Sequence, residues 1–330
     1  MKRWDELNAF FNQTGAKITF SLNALIGRKE SKTEKSLWVG NWYPHNAKDL
    51  MKYTISKGYK IDSYELGNEL CGSGVSARIE AKQYGKDMIV LKKLIEKLYP
   101  NESTQPKVIG PGGFYEEEWF NTFLETTGPD VLDGVTHHIY NLGPGNDPNL
   151  INTIQDPYHL NQIAQTFKDV SNAVDKFAPW AGAWVGESGG AYNSGGKDVS
   201  RTFADGFWYL DQLGMTSVYN HKPGVSVVLI NLSNNTSFEV SLSNDETLHG
   251  VRPNFEFKGE EAREEYHLTP KDGNIQSDVV LLNGAPLNLT DSLEIPKMNP
   301  KLVDASSHIL VEAHSIVYVT IRDFNAPACA

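Results

Sequence analysis

Two glutamates stand just past apolar runs of the chain: Glu69 follows the run 59–66 through Gly67-Asn68, and Glu187 follows the run 181–186. Carboxyl groups delivered by two strand ends are what hydrolysis of a glycosidic bond requires. One must carry a proton to help the leaving oxygen depart, while the other must be ionised to attack the sugar carbon or to activate water. A metal centre is a weaker reading of the same side chains. His137 and His138 are adjacent, but no third ligand lies at a recognisable spacing, so structural or substrate-contacting histidines and no metal are expected. An isolated Asn-Glu pair is commonly a turn or a helix cap, and it is the second carboxylate and the ordered flanking segments that favour catalysis.

Such a pair needs a frame that brings two distant points of the chain together. Up to about residue 215, strand and helix signals alternate. Strands are expected at 17–25, 59–66, 107–110 (closed by Pro111-Gly112-Gly113), 131–140 and 181–186, with helices at 4–12, 47–57, 79–98, 119–125 and 159–177. Glu69 and Glu187 are 118 residues apart. That span holds three βα units of about 39 residues each, the size found in a (β/α)8 barrel, whose catalytic groups lie at the carboxyl ends of strands. From Val225 onward the pattern becomes short β runs, at 225–232, 238–242, 264–268, 279–282 and 309–321, separated by turn signals such as Ser233-Asn234-Asn235 and Asn283-Gly284. This suits a small antiparallel β-sandwich. The expected fold class is therefore α/β, with a TIM-type barrel over 1–219 and a β-sandwich over 220–330.

Composition agrees with a large enzyme and excludes other classes. A chain of 330 residues, 40% hydrophobic and 22% charged, can bury a sizeable core and exceeds the usual single-domain length. A net charge of −11 argues against nucleic acid as a partner, because a phosphate-binding surface is built from clustered Lys and Arg. The basic cluster Arg28, Lys29, Lys32 and Lys35 is interrupted by Glu30 and Glu34 and reads as a solvated loop. Glu116-Glu117-Glu118 and the series Lys82, Lys86, Lys92 and Lys93 read as exposed helix faces. Two cysteines, Cys71 and Cys329, are too few for a disulfide framework or a cysteine metal site. No N-terminal segment has the basic head and apolar core of a signal peptide, and no apolar run is long enough to span a membrane. Glycosylation sequons at Asn12, Asn101, Asn231, Asn234, Asn235 and Asn288 point weakly the other way, towards secretion.

The segments Tyr64-Glu65-Leu66-Gly67-Asn68-Glu69, Thr136-His137-His138-Ile139-Tyr140 and Val185-Gly186-Glu187-Ser188, with Thr14-Gly15-Ala16-Lys17 and Leu22-Asn23-Ala24-Leu25 upstream, follow one another in this order. In them the chain resembles the heparanase family, and more narrowly the plant heparanase-like proteins and β-glucuronidases of glycoside hydrolase family 79. The resemblance implies a retaining mechanism on a (β/α)8 barrel followed by a β-sandwich, acting on a carbohydrate, a glucuronide or a glucuronic acid-containing glycan, without metal or organic cofactor. It implies that Glu69, after the fourth barrel strand, is the acid/base and Glu187, after the seventh, the nucleophile. By the same resemblance Asn68 binds the sugar 2-hydroxyl and Tyr140 orients the nucleophile; His138, two residues before Tyr140 and so on its strand face, is expected to line the sugar pocket. The loop through Tyr192, Asn193, Gly195 and Gly196 holds a uronate carboxylate on backbone amides. Because adjacent strand residues face opposite ways, Asn68 and Glu69 can serve one site only if the strand becomes irregular, which Gly67 permits. The acidic 116–118 segment stands where members that bind sulfated polyanions carry basic residues, so heparan sulfate is a poor substrate expectation. The family's habits also imply an extracellular or vacuolar parent protein, with peripheral membrane association as a further expectation.

The chain departs from the family pattern at two places. Counting back from Glu69 leaves too few residues for the first two strands. After Gly214-Met215 the chain passes through Tyr219-Asn220-His221 straight into sandwich-like sequence, where the family has its eighth strand, a helix and a uronate-binding tyrosine. An incomplete barrel with exposed strand edges is the expectation, as is a Cys329 without its family partner. Two classes of function stay open: a retaining β-glucuronidase, exo-acting or, as the runner-up, endo-acting on polysaccharide, and a truncated product that binds without catalysis or misfolds.

Overall fold

The computed structural model describes residues 1–216, 224–242 and 262–322, which divide into two compact units, Met1–Ile139 with Ile163–Ser188, and Tyr140–Gln162 with Gly189–Ala330. The first unit is built on five strands, β1 (Thr19–Leu22), β2 (Ser63–Leu66), β3 (Lys107–Phe114), β4 (Gly134–Tyr140) and β5 (Gly182–Gly189), which neighbour one another in that order. The β1–β2, β2–β3 and β3–β4 pairs are parallel, in register from Thr19↔Ser63, Ser63↔Lys107 and Ile109↔Gly134. Parallel strands need crossover connections, and helices α1 (Lys2–Thr14), α2 (His45–Ser56), α3 (Ala81–Leu98), α4 (Glu117–Thr127) and α5 (Ile163–Phe177) supply cover for the sheet. The five expected strands and their helices are all present. Their sheet is observed as a row with β1 and β5 at its two ends, not as a closed barrel among the described residues.

Helix α3 shows how the sequence selects its buried face. Tyr84, Met88, Leu91 and Ile95, spaced by four, three and four, are fully buried, while Lys82, Lys86 and Lys93 are exposed. Each large apolar side chain removed from water contributes roughly 1.5–3 kcal/mol. Gly85 lies on the same side, where a Cβ would come within 2.8 Å of Thr126, so α3 and α4 approach closely enough for Tyr84 to meet the rings of Trp119 and Phe123 at 5.5 and 5.4 Å.

Two expectations are corrected here. Strand β3 does not stop at Gly110. It continues through Pro111-Gly112-Gly113 to Phe114, taking up Gly112 (φ 62) as an extra residue between Pro111↔Thr136 and Gly113↔His137. Arg28 is not part of a solvated loop. It is buried and ion-paired with the carboxylate of Asp87 on α3, donates from Nε to the Ala24 carbonyl at 2.9 Å, and bonds the Gly40 carbonyl. Asp87 in turn accepts from the Trp42 amide at 3.2 Å, so a charge pair with its hydrogen bonds satisfied fixes the 24–42 segment. Glu116, in the exposed acidic segment, also caps α4 by accepting from the Trp119 amide at 3.1 Å.

The second unit holds helix α6 (Asp205–Thr216) and antiparallel strands. One sheet joins β6 (Gly224–Asn231), β8 (Ala262–Pro270), β9 (Val280–Leu282), β10 (Ala285–Pro286), β11 (Lys301–Asp304) and β13 (Ser315–Arg322), and a two-stranded sheet pairs β7 (Phe238–Val240) with β12 (Ile309–Val311). The expected run 309–321 is thus two strands in two sheets, broken by a turn where His314 has φ 48. The expected division at 219/220 and Cys329 lie outside the described residues. Within β8, Arg263 and Glu265 are buried yet satisfied: Arg263 Nε donates to Glu265 Oε1 at 2.7 Å, and His267 Nε2 lies 2.7 Å from Glu265 Oε2. Asn231, read above as a glycosylation sequon, is buried, and its Nδ2 donates to the carbonyls of Thr236, Val311 and Glu312 at 2.7–3.2 Å. That amide is committed to holding the β6 end in place.

Candidate active site

Strand β2 ends at Leu66, whose carbonyl accepts from the buried Tyr84 hydroxyl at 2.5 Å. Gly67 then turns the chain with φ 79. A Cβ there would fall 2.3 Å from Leu70 Cδ1 and 3.0 Å from Ala24 Cβ, so glycine is required by space as well as by backbone angle. Glu69 itself adopts φ 51, a conformation that costs a non-glycine residue roughly 1–3 kcal/mol. Two hydrogen bonds hold it: its N–H donates to the Gly112 carbonyl at 2.6 Å, and its carbonyl accepts from the Val75 amide at 3.3 Å. The irregular strand end expected from the Gly67-Asn68-Glu69 sequence is present. Asn68 is exposed and Glu69 is largely enclosed, with 14% of its side chain accessible.

Strand β4 sorts its residues by alternation. His137 faces α5, with its ring 6.1 Å from that of Phe167, whereas His138 on the opposite face lies with Nδ1 3.0 Å from Glu69 Oε1 and 3.9 Å from Glu187 Oε2. Donor atoms of Glu69, His138 and Glu187 all lie within 4.8 Å of one another. Glu187 comes from within β5, two residues before its end, and is the open member of the set at 44% exposure. The arrangement offers two carboxylates to one reacting atom with an imidazole between them. It could equally supply three donors to a cation, but the adjacent His137 points away, so the two histidines do not form a joint chelate.

Burial of His137 pushes its pKa down to about 4. A histidine held neutral in the folded state and free to protonate when unfolded binds fewer protons folded than unfolded between about pH 6.5 and 4. Its contribution is therefore complete above pH 6.5 and is lost as pH falls towards 4, on the order of 3 kcal/mol at most. Thermal unfolding of a His137→Gln variant is expected to show a shallower loss of Tm over this window than the parent. Parallel pH profiles would refute the assignment.

The sequence candidates do not include Glu65, which the structure places beneath the cluster. Its Oε1 accepts from the buried Thr136 hydroxyl at 2.6 Å, and burial raises its pKa. The signal was available: a charged residue in the middle of Tyr64-Glu65-Leu66 is out of place in a strand covered on both faces. Cys71 is buried as well, its thiol donating to the Phe114 carbonyl at 3.2 Å and its pKa pushed up to about 12 by burial, which marks it as unreactive.

The remaining candidates, Tyr140, Tyr192, Asn193, Gly195 and Gly196, belong to the second unit. There Tyr140 closes β4 and stands against Gly189, where a Cβ would be 2.5 Å from its ring. The 190–196 loop is zipped to the 142–145 loop: the Leu142 amide donates to Gly190, Tyr192 to Gly143 and Gly145 to Tyr192, all at 2.9–3.0 Å. Cβ atoms on Gly145 and Gly196 would collide with Gly195 O at 2.1 Å and Leu150 Cδ2 at 2.4 Å, and the Gly196 amide already donates to Ser200 Oγ at 2.9 Å. Packing therefore accounts for Gly196. An anion-binding reading of this loop rests on the segment from Asn193 (φ 61) to Gly195 (φ 74).

Comparison with known proteins adds an independent line. Residues 1–214 match the sequence model of the glycosyl hydrolase family 79 N-terminal domain. The chain is 41% identical to heparanase-like protein 2 of Arabidopsis thaliana over 410 positions, covering 100% of this chain and 76% of that protein. It is 30% identical to baicalin-beta-D-glucuronidase of Scutellaria baicalensis, covering 97% and 72% respectively. An aligned span of 410 positions for a chain of 330 residues means that at least 80 positions of the Arabidopsis protein stand opposite no residue here. In three dimensions the chain is similar to a GH51 arabinofuranosidase from Xanthomonas axonopodis pv. citri, with a TM-score of 0.63 over 96% of this chain and 78% of that one at 13% identity, a likeness of fold alone.

Proposed function

The chain belongs to glycosyl hydrolase family 79, and from that premise we propose that it hydrolyses β-linked glucuronic acid from glycans or small glucuronides with retention at the anomeric carbon. The observation that carries this reading is the approach of Glu69 and Glu187 to within 4.8 Å. Retaining enzymes keep their carboxyl groups about 5–5.5 Å apart, whereas inverting ones leave about 6.5–9.5 Å for a water. Glu187, the more open group, attacks the anomeric carbon, while Glu69 gives a proton to the departing oxygen. Glu69 then takes a proton from the water that releases the sugar from Glu187. His138, 3.0 Å from Glu69, steadies the acid/base carboxyl in both halves of the reaction. In this reading Asn68 meets the 2-hydroxyl, while Tyr140 and the Asn193–Gly195 amides, in the second unit, keep the roles that the family resemblance implies.

We further read β1 to β5 as strands three to seven of a (β/α)8 barrel, with the C-terminal sheets forming a sandwich over 220–330. The unmatched positions of the Arabidopsis relative support an internal deletion, which we place at the eighth strand. Exposure of Gly182, Ala183 and residues 185–188 along β5 fits an edge strand of such a sheet.

The test is hydrolysis of 4-nitrophenyl β-glucuronide and 4-nitrophenyl β-glucoside by the purified chain at mildly acidic pH, with the first-formed anomer followed by proton NMR. Turnover of the glucuronide with the β-anomer appearing first is expected. Initial α-anomer overturns retention, preference for the glucoside overturns the uronate reading, and no turnover of either leaves the chain as a binding remnant.

A further inference from the structure

Gly112 is the extra residue of β3, opposite no residue of β4, so its N–H and its carbonyl stand outside the regular β3–β4 register. Both are nevertheless engaged. The carbonyl accepts from the Glu69 N–H at 2.6 Å, and the N–H donates to Thr136 Oγ1 at 2.9 Å. A backbone N–H can only donate, so the Thr136 oxygen must accept from it, and the single hydroxyl proton is left to point elsewhere. It points to Glu65 Oε1 at 2.6 Å. A carboxyl oxygen accepts that bond in either protonation state, so in the chain Glu69 to Gly112 to Thr136 to Glu65 the Gly112 N–H sets the direction and Glu65 supplies the terminal acceptor. The chain is enclosed: Thr136 is fully buried, and a Cβ on Gly112 would strike the Glu65 carboxyl at 2.6–2.7 Å.

Resting on the reading of Glu69 as the general acid, we propose that Glu65 is a positioning residue, which through Thr136 and the bulged Gly112 peptide holds the Glu69 backbone in its φ > 0 conformation and so aims the acid at the leaving oxygen. The Glu69 amide has a strained backbone to stabilise, and the Gly112 carbonyl is the acceptor that does so. Without an acceptor at position 65 the Thr136 proton is free to turn towards the Gly112 amide, and the bulge loses its anchor. Burial raises the Glu65 pKa, and the Thr136 hydrogen bond is made in those same enclosed surroundings.

The experiment compares kcat/KM on an activated aryl β-glucuronide and on an alkyl β-glucuronide for Thr136→Val, Thr136→Ser, Glu65→Asp and Glu69→Gln. An activated phenol leaves without much protonation and an alkoxide does not, so a misaimed acid is exposed by the ratio of the two rates. Thr136→Val is expected to lower the alkyl rate about tenfold or more with the aryl rate within about threefold, and Thr136→Ser to restore the ratio. Glu65→Asp keeps the carboxyl group but withdraws the acceptor by one methylene, and is expected to behave as Thr136→Val. It also carries the test if the valine variant does not fold. Equal losses on both substrates, or a parental ratio in Glu65→Asp, overturn the inference. If Glu69→Gln itself shows no dependence on the leaving group, or the parent turns over neither substrate, the acid assignment fails and this inference fails with it.

Discussion

Glu187→Gln is expected to lower kcat/KM on any β-glucuronide by about 10⁴-fold or more while leaving the folded state intact. Each tenfold is about 1.4 kcal/mol, so the loss corresponds to more than about 5 kcal/mol of transition-state stabilisation. The size follows from the role. A carboxamide is a poor nucleophile at carbon, and no other carboxylate of the cluster can substitute, because Glu69 lies on the leaving-group side of the proposed reaction. The fold should not notice the change, since the side chain is 44% exposed and glutamine has the same shape, and substitutions at such sites usually stay within about 0.5 kcal/mol. Steady-state kinetics with thermal unfolding in parallel checks both halves. A variant with parental turnover removes Glu187 from the mechanism, and a variant with a greatly lowered Tm means that the loss reports stability instead.

The second large effect is selective. Glu69→Gln is expected to reduce kcat/KM on alkyl glucuronides by roughly 10²–10⁴-fold, the usual contribution of a positioned acid, and far less on an aryl glucuronide whose phenol needs no proton. Because the same carboxyl then deprotonates water, kcat on the aryl substrate should become limited by release of the sugar from Glu187. A small anionic nucleophile such as azide needs no base, so it should raise that kcat and be recovered as the glycosyl azide. The side chain is 14% exposed and touches His138 at 3.0 Å, and glutamine retains an atom able to face that imidazole. Equal losses on both substrates together with no response to azide would show that Glu69 has another task.

Some of this site is legible in contiguous residues. Gly67-Asn68-Glu69 announces an irregular strand end, and the structure shows why: φ values of 79 and 51 there turn a strand residue into the site. The two histidines are adjacent in sequence yet serve opposite faces, a division that strand alternation predicts, and the shared face with Tyr140 singles out His138 as the one towards the site. Glu65 went unassigned because its partner Thr136 lies 71 residues away and acts through a bulge that shifts the β3–β4 register by one. Arg28 was misplaced for a similar reason. Its neighbours in sequence are charged and exposed, but its partner Asp87 is 59 residues on.

By itself the sequence determined that two glutamates would stand near the ends of two strands of a βα series, that β structure would follow, and that the chemistry would concern a glycosidic bond. Those properties are written in local runs: apolar segments of strand length, glycines that permit φ > 0, and carboxylates placed just past them. Only the tertiary structure decided that Glu69, His138 and Glu187 converge within 4.8 Å, that β3 bulges at Gly112, and that the run 309–321 divides between two sheets. Convergence and register depend on which strands pair and at what offset, and that offset is chosen by the packing of whole faces against one another, an energy summed over residues far apart in the chain.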